Sequence, residues 1–356
     1  LCVAPLALLS VVLPFDWLAI AAHTVMSWCM WGLEALSRLP AATWRQHAPP
    51  WWAVPLALAG AGWILLPRGF PARWVGASLL LPLLLVPAPH PGDGELWITV
   101  LDVGQGLAVV VRTRNHSLLF DAGPAYAGSS DAGGRIVVPY LRGEGVRSLD
   151  AMLLSHDDLD HTGGAGSVLA AIPVARLLTS LPAPISVSGT DPSFERCEAG
   201  QQWTWDGVQF EILHPDRDSY NSSRVKDNDR SCVLRIGSNY GGALIPADIE
   251  RRSEGELLRR AATGLKTDIL LAPHHGSRTS SSEAFVAAVA PRLVVFAVGH
   301  RNPFGHPHPV VAMRYRQSGA RLLRSDTAGA IILKLSARGT EAATWRSLAP
   351  RCWHDQ

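Results

Sequence analysis

Apolar residues are spread unevenly along this 356-residue chain. Residues 51–66 (WWAVPLALAGAGWILL) and 74–89 (WVGASLLLPLLLVPAP) run without a charge, and only Asp16 breaks the apolar stretch 1–31. Each charge-free run falls a little short of the roughly 20 residues that cross a bilayer. With Trp51, Trp52 and Trp74 at their ends as interfacial anchors, they predict a membrane-embedded helical hairpin. Residues 1–31 predict one further span or a membrane-lying helix. The connection 67–73 carries Arg68 and Arg73, which by the positive-inside rule makes that turn cytoplasmic and puts whatever follows residue 92 on the opposite side. The alternative is a soluble apolar helical domain. The chain begins at Leu1 rather than Met, so it is expected to be part of something longer, and no signal-peptide pattern is read from it.

After the turn-rich stretch His90-Pro91-Gly92-Asp93-Gly94 the pattern changes to short β runs. Strands are predicted at 95–103, 107–113, 117–121, 149–154, 208–213, 231–237, 242–246, 268–272, 292–298 and 330–335. Helices are predicted around 250–261, 281–290 and 309–318. Strands in two groups with helices between them suggest sandwiched sheets under outer helices. The expected division is a membrane-spanning segment 1–92, a folded domain 93–340 and a tail 341–356.

Composition adds little to that picture. Charged residues make up 17% of the chain and are scarce in the apolar front, so residues from 93 onward read as an ordinary soluble domain. A net charge of +2 argues neither for nor against nucleic acid. Cys2, Cys29, Cys197, Cys232 and Cys352 show no CxxC pair and no regular spacing, which argues against a cysteine zinc site and indicates no disulfide framework. Cys197 and Cys232 could pair if the soluble part is exported; the default expectation is two free thiols.

The strand LDAMLL delivers the chain into Ser155-His156-Asp157-Asp158-Leu159-Asp160-His161-Thr162-Gly163-Gly164. A short loop at a strand end fans such side chains toward one point, and the glycine pair lets the backbone turn into the next helix. Imidazoles and carboxylates together suit zinc or manganese rather than a thiolate-seeking metal. Two further apolar strands end on the same residue types: Leu244-Ile245-Pro246-Ala247-Asp248, and Ile269-Leu270-Leu271-Ala272-Pro273-His274-His275. Singly, a strand-terminal Asp is more often a helix cap, and paired histidines are often bystanders. Three such ends together make a stronger case, because strand ends converge at one edge of a sheet.

The order HxDxDH, strand-Asp, strand-His resembles the metallo-β-lactamase superfamily. The stretches LDVGQGLAVVV, LLFDAG, VVPYLR, SHDDLDHTGG, NDRSCVLRI, APHHGSRTSSS and GHRNPFGHPHP look like the C-terminal domain of the ComEC/Rec2 competence proteins, the inner-membrane channels for DNA uptake. The resemblance covers about residues 95–335, and the apolar front would be the end of that family's membrane-spanning competence region. It implies an α/β fold, an αββα metallo-β-lactamase sandwich preceded by transmembrane helices, holding two divalent metal ions (Zn or Mn). By the same resemblance His156, Asp158, Asp160 and His161 would be ligands, Asp248 the bridging carboxylate, and His275 or His274 the ligand on the last strand. Asp160 and His161 would be the catalytic pair, with Asp160 orienting or deprotonating the attacking water. Asp158 stands where superfamily members usually have His, which shifts preference toward harder metals. The usual isolated His before the bridging Asp is missing; Asp229 is the candidate ligand there, with His214 competing. Ala247 stands where Gly is common.

Ser277, Arg278, Asn302, His306 and His308 are candidate substrate-binding residues, their hydroxyls, cation and polar loop suited to phosphate oxygens. The resemblance implies a membrane-anchored nuclease or phosphodiesterase that degrades the non-transported strand of DNA. It would sit in the inner membrane, multi-pass, with the hydrolase domain periplasmic and other components of the uptake machinery as partners. No basic run with interleaved aromatics marks a single-strand groove. Two rival readings remain: a hydrolase of a small ester or phosphodiester, and an inactive gating domain of the channel.

Overall fold

A computed structural model describes residues 3–13, 15–39, 46–67, 69–182, 192–222, 225–261 and 264–352. The chain divides into two compact units, Leu1–Gln46 and His47–Gln356. In the first, α1 (Val3–Val12) and α2 (Asp16–Ser37) bury almost none of their apolar surface; Trp17, Trp28, Trp31 and Leu33 are all exposed.

The second unit begins with the expected hairpin, α3 (Ala53–Leu65) and α4 (Trp74–Leu85). The two backbones approach closely because Gly60 and Gly76 meet at the crossing. A Cβ on Gly60 would lie 2.5 Å from the Gly76 carbonyl oxygen. Both helices are shorter than the apolar runs that contain them, and a proline stands just beyond each C-terminus, Pro67 after α3 and Pro87 after α4. Thirteen residues of helix in α3 rise about 20 Å, against a hydrocarbon core of about 30 Å. Among the described residues no helix is long and apolar enough to cross a membrane. Arg68, one of the two charges behind the predicted orientation, lies outside the described residues.

The remainder forms two mixed sheets. The first holds β1 (Leu96–Val100), β2 (Val109–Arg112), β3 (Ser117–Phe120), β4 (Leu149–Leu154), β5 (Val174–Thr179) and β6 (Ser193–Arg196). The second holds β7 (Gln202–Trp205), β8 (Val208–His214), β9 (Val233–Ser238), β10 (Gly241–Ile245), β11 (Ile269–Leu271), β12 (Leu293–Phe296) and β13 (Arg321–Arg324). β14 (Ile331–Ser336) and β15 (Gly339–Thr344) return to the first sheet, which therefore runs on past residue 340. The orders are β15-β14-β1-β2-β3-β4-β5-β6 and β13-β12-β11-β10-β9-β8-β7. In each sheet the hairpin-linked strands pair antiparallel; β3 to β5 and β10 to β13, which are joined through helices, pair parallel, and β6 pairs parallel with β5.

Alternation along the strands builds the layers. Leu118, Phe120, Ala151 and Leu153 face Phe210, Ile236, Ala243 and Ile269 across the inner core. Their neighbours Leu119, Met152 and Leu154 face outward, against α5 (Val138–Gly143) and α7 (Ala165–Ala171), which follows the short α6 (Leu159–Thr162). On the other side Leu244, Leu270 and Val294 pack beneath α8 (Arg251–Ala261), α9 (Glu283–Val289) and α10 (Pro309–Gln317). The short α11 (Ser325–Ala328) and α12 (Trp345–Leu348) close the end of the chain. The result is the expected αββα sandwich.

The default expectation for the cysteines is corrected. Cys197 and Cys232 are joined in a disulfide, with 6.0 Å between Cα atoms. Sequence spacing could not show this, because Cys197 follows the edge strand of one sheet and Cys232 precedes β9 of the other, and only stacking the sheets brings them together.

Candidate metal centre

The site lies where parallel strands end. Asp121 follows β3, Ser155 and His156 follow β4, Asp248 follows β10, and His275 follows β11. Asp160 and His161 sit in α6, the single turn that the Gly163-Gly164 pair allows to pack. A Cβ on Gly163 would lie 2.1 Å from the Ala125 nitrogen, so only glycine fits. Left-handed backbone at Ala247 (φ 48°), His274 (φ 49°) and His275 (φ 53°) swings the side chains off the strand ends. Such strain gathers at sites where the surroundings enforce it.

Two groups of donor atoms converge, each within 4.8 Å: His156, His161 and Asp248, and Asp160, His161 and His275. His161 is shared. Its Nδ1 lies 2.7 Å from Asp121 Oδ2, and its Nε2 lies 3.2 Å from Asp248 Oδ1. His275 donates from Nδ1 to the Ala297 carbonyl at 2.7 Å and turns Nε2 toward Asp160 (3.3 Å) and Asp248 (3.6 Å). His156 is held by Ser155 Oγ, 2.9 Å from Nδ1, and by Asp158 Oδ2, 3.1 Å from Nε2.

Charge balance in this buried place is strongly coupled. Burial alone would lower the pKa of His161, but the Asp248 and Asp121 carboxylates outweigh it and hold the ring well above its ordinary value. Burial likewise opposes charge on His275, yet Asp248 and Asp160 raise it, with His161 limiting the rise. Burial would raise Asp248, but His275 and His161 hold it well below the usual carboxylate range. Asp160 is lowered against its burial by His275 and His161, and Asp158 is lowered by its hydrogen bond from His156.

These residues fit a divalent ion. His161 and His275 are each anchored through Nδ1, which leaves their Nε2 atoms facing one another at 3.3 Å. With a proton on each, two N–H groups would point together. A cation in place of those protons would satisfy both nitrogens and the carboxylates of Asp160 and Asp248 at once. Imidazole plus carboxylate donors suit zinc or manganese.

Other predicted residues fall into place unevenly. His275 is inside the cluster. His274 sits at its rim, with Nε2 3.6 Å from Asp248 and Nδ1 3.2 Å from Thr279 Oγ1. Asp229 is buried but is not among the converging donors; its Oδ1 accepts from Ser253 Oγ at 2.8 Å. His214 donates from Nε2 to the Asp229 carbonyl at 2.8 Å, so the two candidates for the missing His bond to each other. Asn302 closes its own loop, accepting from the His306 nitrogen and donating to the Gly299 and His306 carbonyls. His308 Nδ1 caps α10. His306 lies against His274, its pKa pushed down to about 4 by burial and by the His275 and His274 charges. Ser277 is buried beside Thr279, and Arg278 is exposed.

Asp121 was missed as a site residue. It is fully buried and accepts from the Ser155 nitrogen (2.7 Å), Ser155 Oγ (2.8 Å) and His161. The available signal was LLFD, an apolar strand ending on a carboxylate like the one before Asp248.

A four-layer αββα sandwich with His and Asp at converging strand ends defines a metal-dependent hydrolase of the metallo-β-lactamase type, and residues 101–211 match the metallo-beta-lactamase superfamily. Competence protein ComA of Neisseria gonorrhoeae is 35% identical over 346 residues, covering 96% of this chain and 47% of that protein. Recombination protein 2 of Haemophilus influenzae is 34% identical, covering 66% and 28%, and ComE operon protein 3 of Bacillus subtilis is 27% identical, covering 67% and 33%. The chain belongs to the ComEC/Rec2 family of competence proteins. It spans less than half the length of each of these three relatives.

Proposed function

We propose that this chain carries the metal-dependent phosphodiesterase of a DNA-uptake protein, which degrades the strand that is not imported. The observation that carries the reading is the convergence of His156, Asp160, His161, Asp248 and His275 from separate strand ends, with Asp121 fixing the shared His161. Names borne by the relatives, competence and recombination proteins, favour DNA over a small ester. Two divalent ions, held by these residues with Asp158 at the margin, would supply Lewis acidity and a water acidified toward neutral pH. Asp160 would orient that water and take its proton. It is one-third exposed, and its pKa is low enough to keep it a carboxylate. Asp121 locks His161 in one tautomer.

Residues 1–92 would hold the domain at the inner membrane, the exposed Trp17, Trp28 and Trp31 of α2 supporting contact with lipid. The Cys197–Cys232 disulfide supports a periplasmic domain, since such bonds persist in oxidising compartments. The test is metal analysis of the purified chain, with cleavage assays on single- and double-stranded DNA in zinc and manganese and Asp248→Ala as control. Absence of bound metal together with no cleavage under any divalent ion would sink the reading. Cleavage of small esters but no polynucleotide would favour the small-substrate alternative.

A further inference from the structure

We propose that Arg251 and Arg278 form a docking site for a backbone phosphate other than the one being cleaved, so that the substrate is a phosphodiester polymer rather than an isolated diester. This rests on the phosphodiesterase reading above. Beside the metal cluster lies an open cavity of about 540 Å³ lined by Glu250, Arg251, Arg252, Arg278 and Thr279. Its two walls are the start of α8 and the loop after His275, stitched together by two hydrogen bonds. The Arg251 nitrogen donates to the Thr279 carbonyl (3.1 Å), and Arg251 Nη2 donates to the Arg278 carbonyl (3.3 Å).

The charges there are unbalanced. Glu250 is already engaged by Lys226 (3.3 Å) and faces His274 Nδ1 (3.6 Å). Arg252 is engaged by Glu256 at 3.4 Å. Neither Arg251 nor Arg278 has a carboxylate within 4.0 Å among the described residues, although three other arginines nearby in sequence, Arg230, Arg252 and Arg260, are all paired. Two exposed guanidinium groups on one cavity, each with free donors, match the oxygens of a phosphodiester as bidentate forks. The cavity also connects to the chemistry. Thr279, on its wall, lies 3.2 Å from His274 Nδ1, and His274 lies 3.6 Å from Asp248. A strand with one phosphate at the cluster can therefore extend along this wall, which an isolated diester has no group to occupy.

The test uses the full chain with Arg251→Ala and Arg278→Ala, singly and together, and the doubly Lys-substituted chain to keep the charge. Binding of a labelled single-stranded oligodeoxynucleotide is measured by fluorescence anisotropy over a salt series with divalent ions chelated. Cleavage of the same oligonucleotide and of bis(p-nitrophenyl) phosphate is measured separately with manganese. The double Ala variant is expected to bind more weakly, with a salt slope shallower by about 0.7 per charge removed. It should lose more kcat/KM on the oligonucleotide than on the small diester, and the Lys pair should keep the parent slope. Unchanged affinity and slope, or equal losses on both substrates, overturn the proposal. If the unsubstituted chain cleaves no phosphodiester yet the slopes differ as expected, the catalytic reading fails and the docking site stands. If it cleaves and the slopes are the same, the docking site fails and the catalytic reading stands.

Discussion

His161 sets its Nδ1 2.7 Å from Asp121 Oδ2 with neither side chain reaching solvent, and this contact decides which nitrogen faces the cluster. The Asp121 carboxylate accepts the Nδ1 proton, so Nε2 is the atom turned toward Asp248 and His275. The same carboxylate also accepts from the Ser155 nitrogen and hydroxyl, which ties the loop bearing His156 to the end of β3. One buried side chain therefore registers two of the converging donors, His156 and His161, against each other.

Replacing that carboxylate tests the relationship. Asp121→Asn keeps size and some hydrogen bonding but presents a weaker acceptor to His161. Loss of such a supporting contact typically lowers metal affinity by about 10- to 100-fold. Metal content after dialysis against a competing chelator should fall accordingly, with the fold retained by circular dichroism. Unaltered metal retention would show that His161 is oriented by its packing alone.

The coupled histidines and carboxylates give the metal-stripped chain a defined pH response. His161 and His275 have folded values raised above 6.5, so their stabilising contribution is fully present below about that pH. It is lost as pH rises through the raised values. Asp160 and Asp248 are depressed below 3.8, so their contribution is present above that value and is lost as pH falls through the depressed ones. Metal binding replaces the histidine protons and so strengthens with pH. The difference in Tm between metal-loaded and EDTA-treated chain should therefore widen from acid to alkaline buffer. A difference that stays flat would mean that no proton is displaced from these rings.

Much of this cluster was legible because donors that share a loop, such as His156 to His161, need only local geometry. The strands before Asp248 and His275 were legible for the same reason, as apolar runs with a polar end. Three features were not. Asp121 reaches Ser155 through the parallel pairing of β3 with β4, where Phe120 sits beside Leu153, and no local pattern announces that register. The choice between His274 and His275 depends on the backbone turning left-handed at both, which sends one ring inward and the other to the rim. The role of Asp229 depends on Ser253, a residue of α8 that is distant in sequence and adjacent only after folding. The apolar front was legible as a helical hairpin, but prolines set the helix lengths.

Asp229 and Asp248 should separate when each is truncated. Asp248 faces His161, His275 and His274, so Asp248→Ala removes a carboxylate common to the cluster and should abolish metal retention. Asp229 instead accepts a hydroxyl proton from Ser253 in a buried place. Asp229→Ala removes the nearer acceptor and leaves Ser253 Oγ only the Asp229 carbonyl at 3.2 Å, so it should lower stability by about 0.5–1.5 kcal/mol. Chemical denaturation and metal analysis of both variants check this. Loss of metal from the Asp229 variant, at unchanged stability, would restore Asp229 as a ligand.

The Cys197–Cys232 bond joins the two sheets within reach of the same centre. The Cys232 nitrogen donates to the Ser155 carbonyl at 2.9 Å, immediately before His156, and the neighbouring Ser231 Oγ accepts from the Asp248 nitrogen at 3.3 Å. A cross-link over 35 residues removes freedom chiefly from the unfolded chain, which typically stabilises by about 2–4 kcal/mol. Cys197→Ser with Cys232→Ser should therefore lower the denaturation midpoint by an amount in that range. Treating the parent chain with a reductant should give a similar shift and leave the double variant unmoved. Because Cys232 also positions the backbone beside Ser155, metal retention should weaken along with stability rather than independently of it. An equal midpoint for the oxidised parent and the double variant would mean that sheet packing alone holds Ser155 and Asp248 in register.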